Sequence, residues 1–300
     1  MKESLNQVDI VGIVEEINIR DIEKEDKKYI AGDIVVRVEQ EVKDANGNKI
    51  TEVSSIPVSF ISADKKKDGT DNKIYASLQQ LKEFNSIASA GIENATRVQI
   101  RGAKFSENLF MPQNGTEVIS TTKINSNFFT KVNAANFKPE SKFRVIGKII
   151  QIGEEQKTVD GDLVETGRLV VRAALVGYAD KVEVIKFIVE NKDAISAIKA
   201  NWKDGDTVQI GGRLRYTEET VEQETEVGFG EADVRTFTKR TREFLIERGS
   251  AEGLDEENSY SDDDIKKGLA ERKARMEQVK IKAQQPKPQT ATTSTNDYGF

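Results

Sequence analysis

The sequence predicts an all-β fold: two tandem copies of a small β-barrel with a minor helix in each, then a C-terminal helix and a disordered tail. Three observations carry that expectation. The chain repeats itself internally, the repeated blocks alternate apolar and polar residues, and each copy has one helical pattern at the same point. At 300 residues the chain also exceeds the usual size of one domain, so two domains of ordinary size are expected from length alone.

The elements follow in order. IVGIV at 10–14 matches VIGKI at 145–149, and AGDIVVRV at 31–38 matches TGRLVVRA at 166–173. Gly12 and Gly147, Gly32 and Gly167, and Arg37 and Arg172 are each 135 positions apart. VSFI at 58–61 answers IKFI at 185–188, TRVQIRG at 96–102 answers DTVQIGG at 206–212, and TKINSNFF at 122–129 answers TKRTREFL at 238–245. Such alternation is the mark of half-buried strands. Between the third and fourth blocks lies IYASLQQLKEFNSIA, with Ile74, Leu78, Leu81 and Ala88 near helical spacing; AISAIKANW occupies that place in the second copy. Three strands, a helix and two strands, with a glycine inside the first strand where a small barrel must bend, is the order of an OB-fold. The expected OB-fold domains span 1–138 and 139–249, joined by a short linker at 133–141. Residues 250–300 read as an acidic, solvated linker, a short helix from Ser261 to about 282, and a polar tail.

Composition narrows the chemistry. There is no cysteine and no histidine, which removes thiolate chemistry, the commonest general base and the commonest zinc ligand. No cofactor or metal is expected, because the acidic turns at 43–48 and 159–162 read as hairpins and lack the ligand order of a calcium loop. A magnesium-dependent nuclease working with carboxylates alone has no compact acidic cluster in its favour. No apolar run is long enough for a membrane helix and the N-terminus lacks the pattern of a secretory signal, so a cytoplasmic, non-membrane protein is expected. The net charge of −6 argues against coating nucleic acid by bulk charge and leaves room for a local basic groove.

An OB barrel binds a strand across its second and third strands, between the loop joining strands 1 and 2 and the loop joining strands 4 and 5. Strand parity puts Arg37 and Arg172 on the solvent face, together with Arg101 and Phe105 in the first copy and Arg213 and Arg215 in the second. Loops add Lys27, Lys28, Tyr29, Lys65 and Lys66, and Phe110 and Phe229 after the fourth strands. Cations that hold phosphate beside rings that stack bases are the chemistry of single-strand binding. Phe60, Phe187 and Trp202 read as core.

In this block order the chain resembles the OB-fold single-stranded DNA-binding proteins, particularly the phage-encoded ones with tandem domains. The resemblance covers roughly 5–249 and implies sequence-tolerant, non-enzymatic binding of single-stranded DNA in replication or recombination. It also implies a C-terminal tip, here Asp297, Tyr298 and Phe300, that recruits replication or recombination proteins. The tip departs from the pattern in carrying glycine where proline is expected. A non-enzymatic scaffold built on tandem small barrels is the alternative, favoured by the net acidity, and RNA binding leaves no separate signature.

Overall fold

The computed structural model describes residues 1–24, 27–113, 115–159, 161–225 and 233–284. The first strands are β1 (Asn6–Lys24), β2 (Lys27–Lys43) and β3 (Lys49–Ala63). The short helices α1 (Lys73–Gln79) and α2 (Ile87–Ala90) follow, then β4 (Arg97–Phe110), β5 (Ile119–Asn125) and β6 (Thr130–Lys131). β1 pairs antiparallel with β2 and β4, β2 with β3, and β4 with β5, while Val58 on β3 bridges in parallel to Ile124 on β5. The circuit β1-β2-β3-β5-β4 therefore returns to β1 and closes a barrel, which leaves its backbone groups paired rather than presented at an edge.

The remaining strands close the same way. They are β7 (Glu140–Val159), β8 (Asp162–Val176), β9 (Val182–Val189), β10 (Thr207–Thr225) and β11 (Asp233–Gly249), with helix α3 (Lys192–Asn201) before β10. β7 pairs with β8 and β10, β8 with β9, and β10 with β11; a parallel bridge from Leu245 to Ile188 completes the circuit. The side-chain carbonyls of Asn72 and Asn191 accept backbone N–H groups at the starts of α1 and α3. The helix expected across 74–88 is broken in two, because Phe84 returns to extended backbone and Ser86 starts a new turn as a capping box with Ser89.

Two of the repeated blocks align in a register other than the one their letters give. Arg37 lies opposite Ser55 and Arg172 opposite Lys186, so Phe187 is the counterpart of Ile56 rather than Phe60. Phe105 lies opposite Ile124 and Leu214 opposite Phe244, so Ile124 is the counterpart of Phe244. Side-chain similarity between two short apolar blocks is a weaker constraint than the pairing partner across the ladder.

The barrels are joined through β1 and β7. Asn6–Val11 of β1 pairs antiparallel with 140–145 of β7, and Val8 faces Phe143. These two are 135 positions apart, the spacing of Gly12 and Gly147, so the junction pairs a residue with its own counterpart, as a two-fold symmetric dimer interface does. Beneath it runs one continuous core. Phe105 of the first barrel meets Phe143, Phe187 and Phe244 of the second at ring-centroid distances of 5.5, 6.3 and 4.6 Å. Swivelling about a linker is not how these barrels are connected. The segment expected as linker forms a 3-10 turn at Ala134–Asn136 and runs straight into β7.

The stretch after Gly249 also differs from expectation. It is a strap: Leu254 N–H donates to Thr207 O at 2.7 Å, Tyr260 is buried, and the Tyr260 hydroxyl bonds the Ser4 hydroxyl. The few apolar residues among its acids, Leu254 and Tyr260, are the ones that pack. The strap leads to α4 (Asp262–Gln284), which buries Ile265 and Gly268 against β9 and reaches the first barrel through a bidentate Arg272–Glu107 pair. Among the described residues no helix is long and apolar enough to cross a membrane.

Candidate nucleic-acid interface

The outer wall of β8 and β9 carries Arg172 opposite Lys186, with Gln151 of β7 on the other side of Arg172. Alternation builds this row: Val171 and Phe187 point into the core, so their neighbours Arg172 and Lys186 point out. Lys186 also lines a second, adjoining cleft with Lys157, Lys239, Arg240 and Arg242, beneath which lies Tyr216. Lys157 stands on the hairpin arm joining β7 to β8, and the last three on the arm joining β10 to β11. Two hairpin arms and the wall between them thus converge on one basic trough. Ser120, Thr121 and Thr122, from β5 of the first barrel, form its far side.

All six cations of the trough are exposed. Arg240 pairs with Glu218 at 2.7 Å and Lys239 with Glu219 at 3.8 Å, both at the surface where such pairs exchange readily for phosphate. Arg172, Lys157 and Lys186 have no ion-pair partner among the described residues. Arg242 lies 5.9 Å from the centroid of the Tyr216 ring. Burial pushes the Tyr216 phenol up to about 12, with the charge of Arg242 opposing, so the ring stays neutral throughout the physiological range. Glu243, Glu154 and Glu155 also line the trough, but their carboxylates are engaged: Glu243 by Arg168 and Arg215, Glu155 by Arg168, and Glu154 by Lys199.

Several expected site residues lie elsewhere. Phe105 is core, 2% exposed, and the cause is a bulge. Val8 faces Ala103 and Ile10 faces Ile100, so β4 spends one more residue than β1 between those pairs, around Arg101 and Gly102. Gly102 takes φ +67°, and the extra residue flips the parity that put Phe105 outside. Its counterpart in the second barrel is accordingly Leu214 and not Arg215.

Arg213 and Arg215 do leave the barrel core, but the first barrel covers them. Arg213 donates to Glu52 at 3.1 Å, Glu247 at 2.6 Å and Glu190 at 3.2 Å; Arg215 donates to Glu52 at 2.7 Å and Glu190 at 2.8 Å. Arg168 continues the network through Glu155 and Glu243, each at 2.7 Å. Burial works against the charge of Arg213 and Arg215, yet the carboxylates hold both guanidiniums above their ordinary value. Glu52 belongs to β3, so this buried lattice is an inter-barrel contact and its arginines are not available to phosphate. Periodicity along one strand shows which face a residue takes, never what packs on that face.

Of the others, Arg101 is exposed but engaged by Glu140 at 2.7 Å and Asp9 at 3.7 Å. Lys65 pairs with Asp71 and Lys28 with Glu23, while Lys27 and Lys66 are exposed and Tyr29 is half-buried. Phe110 is exposed at the end of the β4–β5 hairpin, opposite Ile119. Arg37 is half-buried on the outer wall of the first barrel. Phe229, Asp297, Tyr298 and Phe300 lie outside the described residues. The trough residues Lys157, Lys186, Lys239, Arg240 and Arg242 escaped sequence reading, although the run TKRTR at 238–242 was the available signal.

A family model described as YorF matches residues 4–282. No curated protein matches the chain. Among solved structures, a deletion mutant of the single-stranded DNA-binding protein from Thermus aquaticus superposes with TM-score 0.51 at 12% identity, covering 85% of this chain and 98% of that one. The wild-type Thermus aquaticus protein gives TM-score 0.47 at 12% identity, covering 83% and 93%. The first of these likenesses establishes a shared fold.

Proposed function

This chain belongs to the YorF family, and we propose that it binds single-stranded DNA without sequence preference and without chemistry, in replication or recombination. The observation that carries the reading is the basic trough on the second barrel. It occupies the wall and flanking hairpins that an OB barrel uses for a strand, and its cations are exposed while Arg168, Arg213 and Arg215 are tied to carboxylates. Phosphate contacts of this kind neutralise charge and release counterions, so affinity falls steeply with salt. Fold likeness to a protein named for single-stranded DNA binding supports the reading by analogy.

The net charge of −6 and the neutralised arginines of the inter-barrel network favour a second reading, a scaffold for other proteins. Titrating a labelled oligothymidine and a duplex of equal length separates the two. Tight binding of the single strand alone, weakened by salt, supports the first reading; no binding at low salt leaves the scaffold.

A further inference from the structure

We infer that the two barrels divide the bound strand between them: the trough of the second holds phosphates, and an apolar wall on the first stacks the bases. The inference rests on the proposed single-strand binding and assigns the surface that receives the bases. Ile30 and Phe60 point into the core of the first barrel, so their neighbours Tyr29, Ala31 and Ile61 point outward. Ladder pairing sets these in two adjacent rows across β1, β2 and β3, Arg20–Ala31–Ile61 and Ile22–Tyr29–Ala63. The side-chain carbonyl of Asn127 accepts the Ile61 N–H at 3.3 Å, which brings Phe128 to the same wall. Phe128 is 63% exposed and Ile61 61%, more than any other large hydrophobic side chain among the described residues of the first barrel. Side chains of that size left together in water mark an interaction site.

Charge and position point to bases as the occupant. Arg20, at the end of its row, is exposed and has no ion-pair partner among the described residues. Lys27 is exposed on the same face of β2 as Tyr29. The next row, Asn18–Asp33–Ser59, carries a carboxylate, which Asn18 Nδ2 engages at 3.2 Å. Rings and an aliphatic side chain with cations at their margin are what stacked bases on a charged backbone require. The wall lacks the close-set polar row of the trough, where Arg172 stands between Gln151 and Lys186. The two surfaces are linked by β5. Ser120, Thr121 and Thr122 form the far side of the trough, and Phe128 follows Thr122 by six residues, at most about 20 Å of chain. A strand that leaves the trough along β5 therefore arrives on the wall.

The test compares a labelled oligothymidine with an abasic oligomer of equal length, which keeps the phosphates and lacks the bases. Wild type is expected to bind the oligothymidine about tenfold more tightly, the effect of stacking one base. The Ile61→Ala/Phe128→Ala protein, its fold checked by circular dichroism, is expected to bind both oligomers alike and to keep the salt dependence of wild type. The Arg172→Glu/Lys186→Glu protein is expected to lose affinity for both oligomers by the same factor. Equal binding of both oligomers by wild type, or a preference for oligothymidine that survives in the Ile61→Ala/Phe128→Ala protein, overturns the wall while single-strand binding stands. Failure of wild type to bind either oligomer overturns both.

Discussion

Arg172 and Lys186 stand side by side on adjacent strands, exposed and without a carboxylate partner among the described residues. Reversing both charges, Arg172→Glu with Lys186→Glu, is expected to leave stability within about 0.5 kcal/mol, as for other surface positions. Arg213 is the opposite case, 4% exposed and bound to three carboxylates. Arg213→Met leaves Glu52 buried beside a lost partner and is expected to destabilise by about 3–5 kcal/mol in urea unfolding. Two titrations bound the stable range. Tyr216 has its pKa raised to about 12 by burial, so its contribution is whole below its unfolded value and is lost as pH rises through about 12. For Glu155, burial opposes the charged form, but hydrogen bonds from Thr166 and Arg168 hold its pKa down; its contribution is present above the ordinary carboxylate range and is lost as pH falls below it. Thermal melts across pH check both limbs. At this scale Phe60 and Phe187 were legible as core because each follows the alternation of its strand, and Trp202 because it closes the helical segment of the second copy. Phe105 was not, because one inserted residue reverses parity and leaves no mark beyond a glycine.

The elements were legible where a single chain segment decides them. The five strands of each circuit and helix α4 follow local periodicity, and α4 begins at Asp262, beside the Ser261 and aspartates that mark it. The β4 bulge depends on Asp9, 93 residues from Gly102, and the strap on Ser4, 256 residues from Tyr260, contacts that no local pattern records. Gly102 sits at φ +67° with its N–H donating to Asp9 Oδ1 at 2.9 Å. Gly102→Ala is therefore expected to cost about 1 kcal/mol, measured by urea unfolding. Helix α4 depends on a different glycine. A Cβ at Gly268 would lie 2.2 Å from Val182 Cγ2, so Gly268→Ala must lift the helix from β9. Hydrogen exchange should then quicken along α4 while the barrel strands keep their protection.

As a whole the molecule is two closed circuits with one core, joined by strands that pair as in a symmetric dimer. The repeat was legible in the sequence; the mode of joining was not, because periodicity carries no information on what two barrels do to each other. Since β1 and β7 satisfy one another within the chain, a monomer is expected by light scattering at micromolar concentration. The shared phenylalanine cluster makes the barrels interdependent. Residues 1–138 alone would expose Phe105, and the full chain is expected to unfold in one transition by calorimetry. The most direct measurement of the central claim is the salt dependence of oligothymidine affinity for wild type and for the Arg172→Glu/Lys186→Glu protein. The trough predicts tight binding by wild type, and a plot of log K against log salt that is shallower for the variant by about 0.7 for each cation removed from phosphate. Equal slopes and affinities for the two proteins would contradict it.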